Sequence, residues 1–217
     1  MSFNYPMRCF GCSVIAVAVL LGGCATRQKV TSTTAEQREQ GWLTHQISAS
    51  AINRWEVSGR ASVKSPEQSG SVGILWERSP TDFSIYMSGP IGQTLAHLEG
   101  QGQHERNQHV TLNIPGQQPA TSSSVEQLLY EQTGWLLPFQ SLDSWIRGIP
   151  SMETRYTYML NEQGLLAELY QNGWKVSYSR YRMTQGIALP EKIRAERDDT
   201  LVIFFIRKWT LSDRDSS

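Results

Sequence analysis

Residues Trp55–Lys64 read WEVSGRASVK. Trp55, Val57, Gly59, Ala61 and Val63 fall on one face; Glu56, Ser58, Arg60, Ser62 and Lys64 fall on the other. Period two with one polar face specifies an antiparallel strand, buried on one side and wet on the other. The pattern repeats downstream. Val72, Ile74 and Trp76 alternate, and Arg78–Asp82 turns the chain. Phe83, Ile85 and Met87 give a third inner face, Thr94, Ala96 and Leu98 a fourth, and Val110, Leu112 and Ile114 a fifth. Short strands at this spacing form a meander.

Helical signals interrupt the strands in the middle of the chain. Ser123-x-x-Glu126 reads as a capping box ahead of Val125, Leu128 and Leu129, with Gly134 as the stop. Leu142, Trp145 and Ile146 have helical spacing, ended by Gly148 and Pro150. Strands then resume at Tyr156, Tyr158 and Leu160, and at Leu165, Ala167 and Leu169. Asn172-Gly173 predicts a tight hairpin into Trp174, Val176 and Tyr178. Ile193 belongs to a penultimate strand, and Leu201–Ile206 is apolar in both phases, which predicts a strand covered on both faces. The fold class expected is mainly β with α: about ten or eleven antiparallel strands curling around two central helices.

Upstream of Trp55 the chain changes character. Phe10–Leu21 is a run of twelve mostly apolar residues, which suits a secretory signal and is too short to span a bilayer. Leu21-Gly22-Gly23-Cys24 follows and looks like a lipobox, with lipid on the Cys24 thiol and cleavage before it. Ordinary signal cleavage near Gly22 or Gly23 is the alternative. Residues 1–23 are therefore expected to be removed, and 24–50 to form a lipidated, flexible tether. Within it, Trp42, Leu43, Gln46 and Ile47 suggest a short helix. Residues 51–217 make the folded domain. Cys9 and Cys12 leave with the signal, so the mature chain keeps no disulfide partner for Cys24. Ala25, rather than Asp, follows Cys24; by the sorting rule of enteric lipoproteins this directs the protein to the outer membrane.

The whole chain has 20 Lys+Arg and 20 Asp+Glu, so no global field steers it to a polyanion, and no nucleic-acid partner is expected. The four histidines include His104 and His109 around Glu105, a spacing that matches no zinc signature. Gly70-Ser71-Val72-Gly73 is not a nucleophile elbow, and Gly100-x-Gly102 lacks the rest of a phosphate loop. No carboxylate pair stands out as an acid–base dyad. Catalytic residues, metal and cofactor are all expected to be absent. What remains is apolar surface, either a solid aromatic core or the wall of a cavity. The candidates, one phase of each element, are Trp55, Val57, Val72, Ile74, Trp76, Phe83, Ile85, Met87, Leu98, Val110, Leu112, Trp145, Ile146, Tyr158 and Tyr178.

Five stretches resemble the LolB family of outer-membrane lipoprotein receptors. They are WEVSGRASV (Trp55–Val63), SGPIGQT (Ser88–Thr94), LPFQSLDSWIRGIP (Leu137–Pro150), NGWKVSY (Asn172–Tyr178) and PEKI (Pro190–Ile193). The resemblance implies an unclosed antiparallel β-barrel with a helical lid over a cavity for acyl chains. It also implies a monomer that takes acylated lipoprotein cargo from a periplasmic LolA-type carrier and delivers it, without ATP, to outer-membrane phospholipid. In that family an exposed apolar residue after the third strand promotes insertion. Ile91, in the turn Gly89-Pro90-Ile91-Gly92, takes that place here. A lipid-anchored, lipocalin-like envelope protein binding another apolar ligand is the competing reading.

Overall fold

The computed structural model describes residues 34–66, 69–101, 109–134 and 137–212. Helix α1 (Ala35–Ser50) precedes six strands: β1 (Trp55–Lys64), β2 (Ser69–Arg78), β3 (Asp82–Ser88), β4 (Thr94–Gln101), β5 (His109–Asn113) and the short β6 (Ala120–Ser122). Helices α2 (Val125–Thr133) and α3 (Phe139–Ile146) follow. The chain then returns to strands with β7 (Tyr156–Leu160), β8 (Leu166–Gln171), β9 (Trp174–Thr184), β10 (Ile187–Arg197) and β11 (Thr200–Leu211).

All eleven strands form one sheet in the order β6-β5-β4-β3-β2-β1-β11-β10-β9-β8-β7. Every pairing is antiparallel. The first and last strands meet in the middle, and the two edges, β6 and β7, are consecutive in the chain. Their connection is α2 and α3, so the helices must run from one free edge to the other. Six strand spacings separate β3 from β8, about 29 Å along the sheet. Helix α3, about 12 Å long, nevertheless touches both sides. Its Phe139 ring lies 4.9 Å from Phe83 on β3, and its Trp145 Nε1 donates to Gln171 Oε1 on β8 at 2.8 Å. The sheet therefore curls around α3 without closing.

The alternation read at Trp55–Lys64 holds: Trp55, Val57, Gly59 and Val63 are buried, and Ala61 is half-buried in the same phase. Gly59 is required there. The β1–β11 register shifts between Ser58 and Gly59, and a Cβ on Gly59 would sit 2.1 Å from the Phe205 carbonyl oxygen. The Asn172-Gly173 turn has φ of 52° and 76°, as a two-residue hairpin with right-handed strand twist requires.

Three local expectations need correction. Helix α1 starts at Ala35, inside the stretch read as tether, because Thr34 and Gln37 form a capping box (Gln37 N–H to Thr34 Oγ1, 3.2 Å; Thr34 N–H to Gln37 Oε1, 2.9 Å). Its buried face is Trp42, His45 and Ala49, whereas Leu43 and Ile47 are exposed. In α2 the N-cap is Ser124, whose hydroxyl accepts from the Gln127 N–H at 3.2 Å. Glu126 instead reaches forward to accept the Gln140 N–H at 3.1 Å, joining α2 to the first turn of α3. In β11 only Val202, Phe204, Ile206 and Trp209 are buried. The other phase, Leu201, Ile203 and Phe205, lies on the outer face, where Lys192 covers the Phe205 ring at 5.1 Å.

Candidate functional site: an apolar cavity beneath the helices

The interior divides along α3. On the β7–β10 side the side chains are deeply buried. Trp145, Trp174, Leu166, Leu169, Val176 and Leu189 are essentially inaccessible to solvent. Polar tethers pin α3 to this side at both Ser141 and Trp145. Besides the Trp145–Gln171 bond, the Tyr178 hydroxyl donates to the Trp145 carbonyl at 3.1 Å, and Asn172 Nδ2 donates to Ser141 Oγ at 3.0 Å. Burial pushes the Tyr178 phenol far above its ordinary range, so it remains a protonated donor.

On the β1–β5 side the packing is different. A chain of rings runs from Trp209 to Trp55 (5.6 Å), Trp76 (5.1 Å), Phe139 (5.4 Å) and Phe83 (4.9 Å between centroids). Beside it lies a cavity of about 80 Å³. Its floor is Ala61, Val63, Gly70, Val72, Ile74, Trp76, Ile85, Met87, Leu98, Val202 and Phe204; its roof is Leu129, Leu137, Phe139 and Leu142. The roof comes from α2, α3 and the segment between them. Among the described residues, Arg78 Nε on β2 donates to Asp143 Oδ1 on α3 at 3.1 Å.

Of the sequence candidates, Val72, Ile74, Trp76, Ile85, Met87 and Leu98 bound this cavity. The others are placed elsewhere. Trp55 is wedged between Trp76 and Trp209, and Val57 is fully buried on β1. Phe83 packs on Phe139. Val110 and Leu112 are buried on β5, which α2 touches along with β6. Trp145, Ile146 and Tyr178 are buried on the β7–β10 side. Tyr158 packs on Trp42 of α1 at 5.3 Å, with its hydroxyl donating to Glu39 at 3.2 Å. Strand phase identifies the inward face but not where along it the packing opens. Ala61 and Val63 are legible by the same phase, whereas Val202 and Phe204 are not, because β11 is apolar in both phases. Leu129, Phe139 and Leu142 required the helices to be laid across the sheet.

Two wider clefts, of about 570 and 500 Å³, are open and lined by polar and charged side chains. The first lies around Arg78, Asp82 and Glu99, the second around Arg155, Lys175 and Arg197. Among the described residues no group of His, Cys, Asp and Glu could hold a metal ion, and no helix is long and apolar enough to cross a membrane.

The β3–β4 turn projects from the sheet. The Gly89 N–H donates to the Gln93 carbonyl at 2.9 Å and the Gly92 N–H to the Gly89 carbonyl at 3.0 Å. Gly92 adopts φ of 84°, where a side chain would be strained. The turn is closed by its own backbone, and Ile91 at its tip is 90% exposed. Cys24 lies outside the described residues.

The family described as outer membrane lipoprotein LolB matches residues 53–209. The outer-membrane lipoprotein LolB of Cellvibrio japonicus is 34% identical over 212 residues, covering 95% of this chain and 98% of that protein. Two solved structures share the fold at low identity. A DUF1329 family protein from Desulfovibrio piger has a TM-score of 0.59 at 9% identity, covering 82% of this chain and 93% of its own. A putative outer membrane lipoprotein-sorting protein domain from Vibrio parahaemolyticus has a TM-score of 0.50 at 5% identity, with the same coverage. With most of its length matched by the family and by a full-length relative, the chain belongs to the LolB family of outer membrane lipoproteins.

Proposed function

We propose that this protein accepts acylated lipoproteins from a periplasmic LolA-type carrier and inserts them into the outer membrane. It does so as a monomer anchored through lipid on Cys24. The observation that supports this reading is the cavity between the sheet and α2–α3, whose bounding side chains are hydrocarbon, aromatic or thioether. Acyl chains leave water most favourably for such a wall, at about 25 cal/mol per Å² of apolar area removed.

As it stands, the cavity is too small for a fatty chain. A volume of about 80 Å³ leaves room for only a few small groups. Loading therefore requires the roof to lift. The distribution of polar contacts favours a hinge at the C-terminal half of α3, which is pinned through Trp145 by Gln171 and Tyr178. Helix α2 and the first turn of α3, joined by Glu126, then move together, and the half-buried Asn172–Ser141 bond breaks as they lift. Transfer needs no ATP: cargo passes down a ladder of affinities, each tenfold step corresponding to about 1.4 kcal/mol. Ile91 on its rigid turn engages the bilayer at release.

The test is a two-stage transfer. Carrier loaded with a triacylated lipoprotein is mixed with the purified protein, and the cargo is followed first onto the protein and then into phospholipid liposomes. Uptake followed by liposome incorporation is expected. Binding of free fatty ligands without uptake from the carrier would favour the lipocalin-like reading instead.

A further inference from the structure

Among the residues that bound the cavity, one carries a polar side-chain donor. Trp76 is 2% exposed, and its indole N–H is buried with no hydrogen-bond partner. A buried donor left unpaired lowers stability, and such groups in native proteins call for a reason. Packing does not supply one. The Trp76 ring lies edge-on to Trp55 at 5.1 Å and is stacked on Phe139 at 5.4 Å. A phenylalanine would offer aromatic contact without the unpaired N–H. Among the described residues the other buried unpartnered indole, Trp174, lies under the Arg197 guanidinium at 5.1 Å and does not bound the cavity.

A chain attached through an ester or amide carries its carbonyl with it when it leaves water, and that oxygen then needs a donor. The aliphatic wall has none to give. We propose that the Trp76 N–H is this donor. With the roof lifted and Phe139 withdrawn from its ring, Trp76 donates to the ester or amide carbonyl at the head of an incoming acyl chain. The bond fixes how deep the chain sits, and it makes the site selective for fatty acyl esters and amides over hydrocarbons and ethers. This inference rests on the reading of the cavity as an acyl-chain site.

The experiment compares a diacylglycerol with the dialkylglycerol ether of equal chain length, each displacing a fluorescent apolar dye from the wild-type protein and from Trp76→Phe. The wild type is expected to bind the diester about tenfold more tightly than the diether. Trp76→Phe is expected to bind the two ligands with affinities within about twofold of each other, and a cooperative urea transition reports that the variant is folded. Equal wild-type affinities for the two ligands, or a preference retained in Trp76→Phe, would overturn the role of the N–H and leave the acyl site standing. Failure of both ligands to bind the wild type would remove the acyl site and this inference together.

Discussion

Arg78 on β2 and Asp143 on α3 form the one ion pair, among the described residues, that ties the cavity floor to its roof, with Nε and Oδ1 3.1 Å apart. The other Asp143 oxygen accepts from Arg147 at 2.9 Å, and Arg147 in turn donates to the carbonyls of Ala49 and Ile52 at 3.1 Å each. One carboxylate thus links the sheet, the lid helix and the end of α1. Both side chains of the Arg78–Asp143 pair are about one quarter exposed, at 24% and 23%, so solvent screens the attraction. Asp143→Ala is expected to cost about 1 kcal/mol globally. The larger effect is local: amides of α2 and α3 should exchange with solvent several-fold faster. Exchange rates there matching wild type would show that the apolar contacts alone keep the roof down.

Gln171 is the opposite kind of contact. It is 2% exposed, and its amide oxygen accepts from Trp145 Nε1 and from the Ser151 N–H at 3.0 Å. Its amide nitrogen donates to the Ser151 carbonyl and to Thr154 Oγ1 at 2.6 and 2.9 Å. Gln171→Ala orphans the Trp145 and Ser151 donors where no water reaches them. A loss of about 3 kcal/mol is expected. Urea unfolding should show the midpoint falling with the slope unchanged. A loss below about 1 kcal/mol would mean that this side of α3 is not the fixed side.

Ile91 makes the contrast between stability and delivery measurable. It is 90% exposed on a turn closed by its own backbone hydrogen bonds. Ile91→Glu should leave stability within about 0.5 kcal/mol of wild type and leave uptake from the carrier intact. Incorporation of cargo into liposomes should fall severely, because a carboxylate at the tip resists entry into hydrocarbon. Ile91→Leu should deliver normally. Full delivery by Ile91→Glu would remove the turn from the mechanism.

Strand phase carried most of this fold. Trp55, Val57 and Val63 face inward because a strand with one wet side leaves no other arrangement. Phase says nothing about depth, however. Ile74 borders the cavity and Val57 does not, although both occupy inward positions on neighbouring strands. That distinction depends on where α3 lies, and α3 is placed by long-range bonds from Gln171 and Tyr178 that no local pattern announces. Apolar content misled at Leu43 and Ile47, which are exposed, and at Leu201 and Ile203, which lie on the outer face. At the start of α1 the short T-x-x-Q cap outweighed a composition that reads as linker.

His45 makes the docking of α1 sensitive to acid. The ring is 7% exposed, packed against Trp42 at 5.9 Å and Tyr181 at 6.3 Å, with Nε2 3.3 Å from the Gly148 carbonyl. Burial lowers its pKa below the ordinary value of 6.5, and the Gly148 carbonyl only partly offsets this. The imidazole is therefore neutral in the folded protein, donating from Nε2 to Gly148. In the unfolded chain it takes up a proton near the ordinary value. Just below that pH the unfolded state binds more protons than the native state, so stability increases with pH across the window. The contribution is complete above the unfolded value and is lost as pH falls toward the folded one. Urea unfolding at pH 7.5 and 5.5 should show the wild type weakening. His45→Gln keeps a donor for Gly148 without a titrating ring and should show a flatter dependence between the two pH values. An identical pH slope in the variant would assign the acid sensitivity to another group.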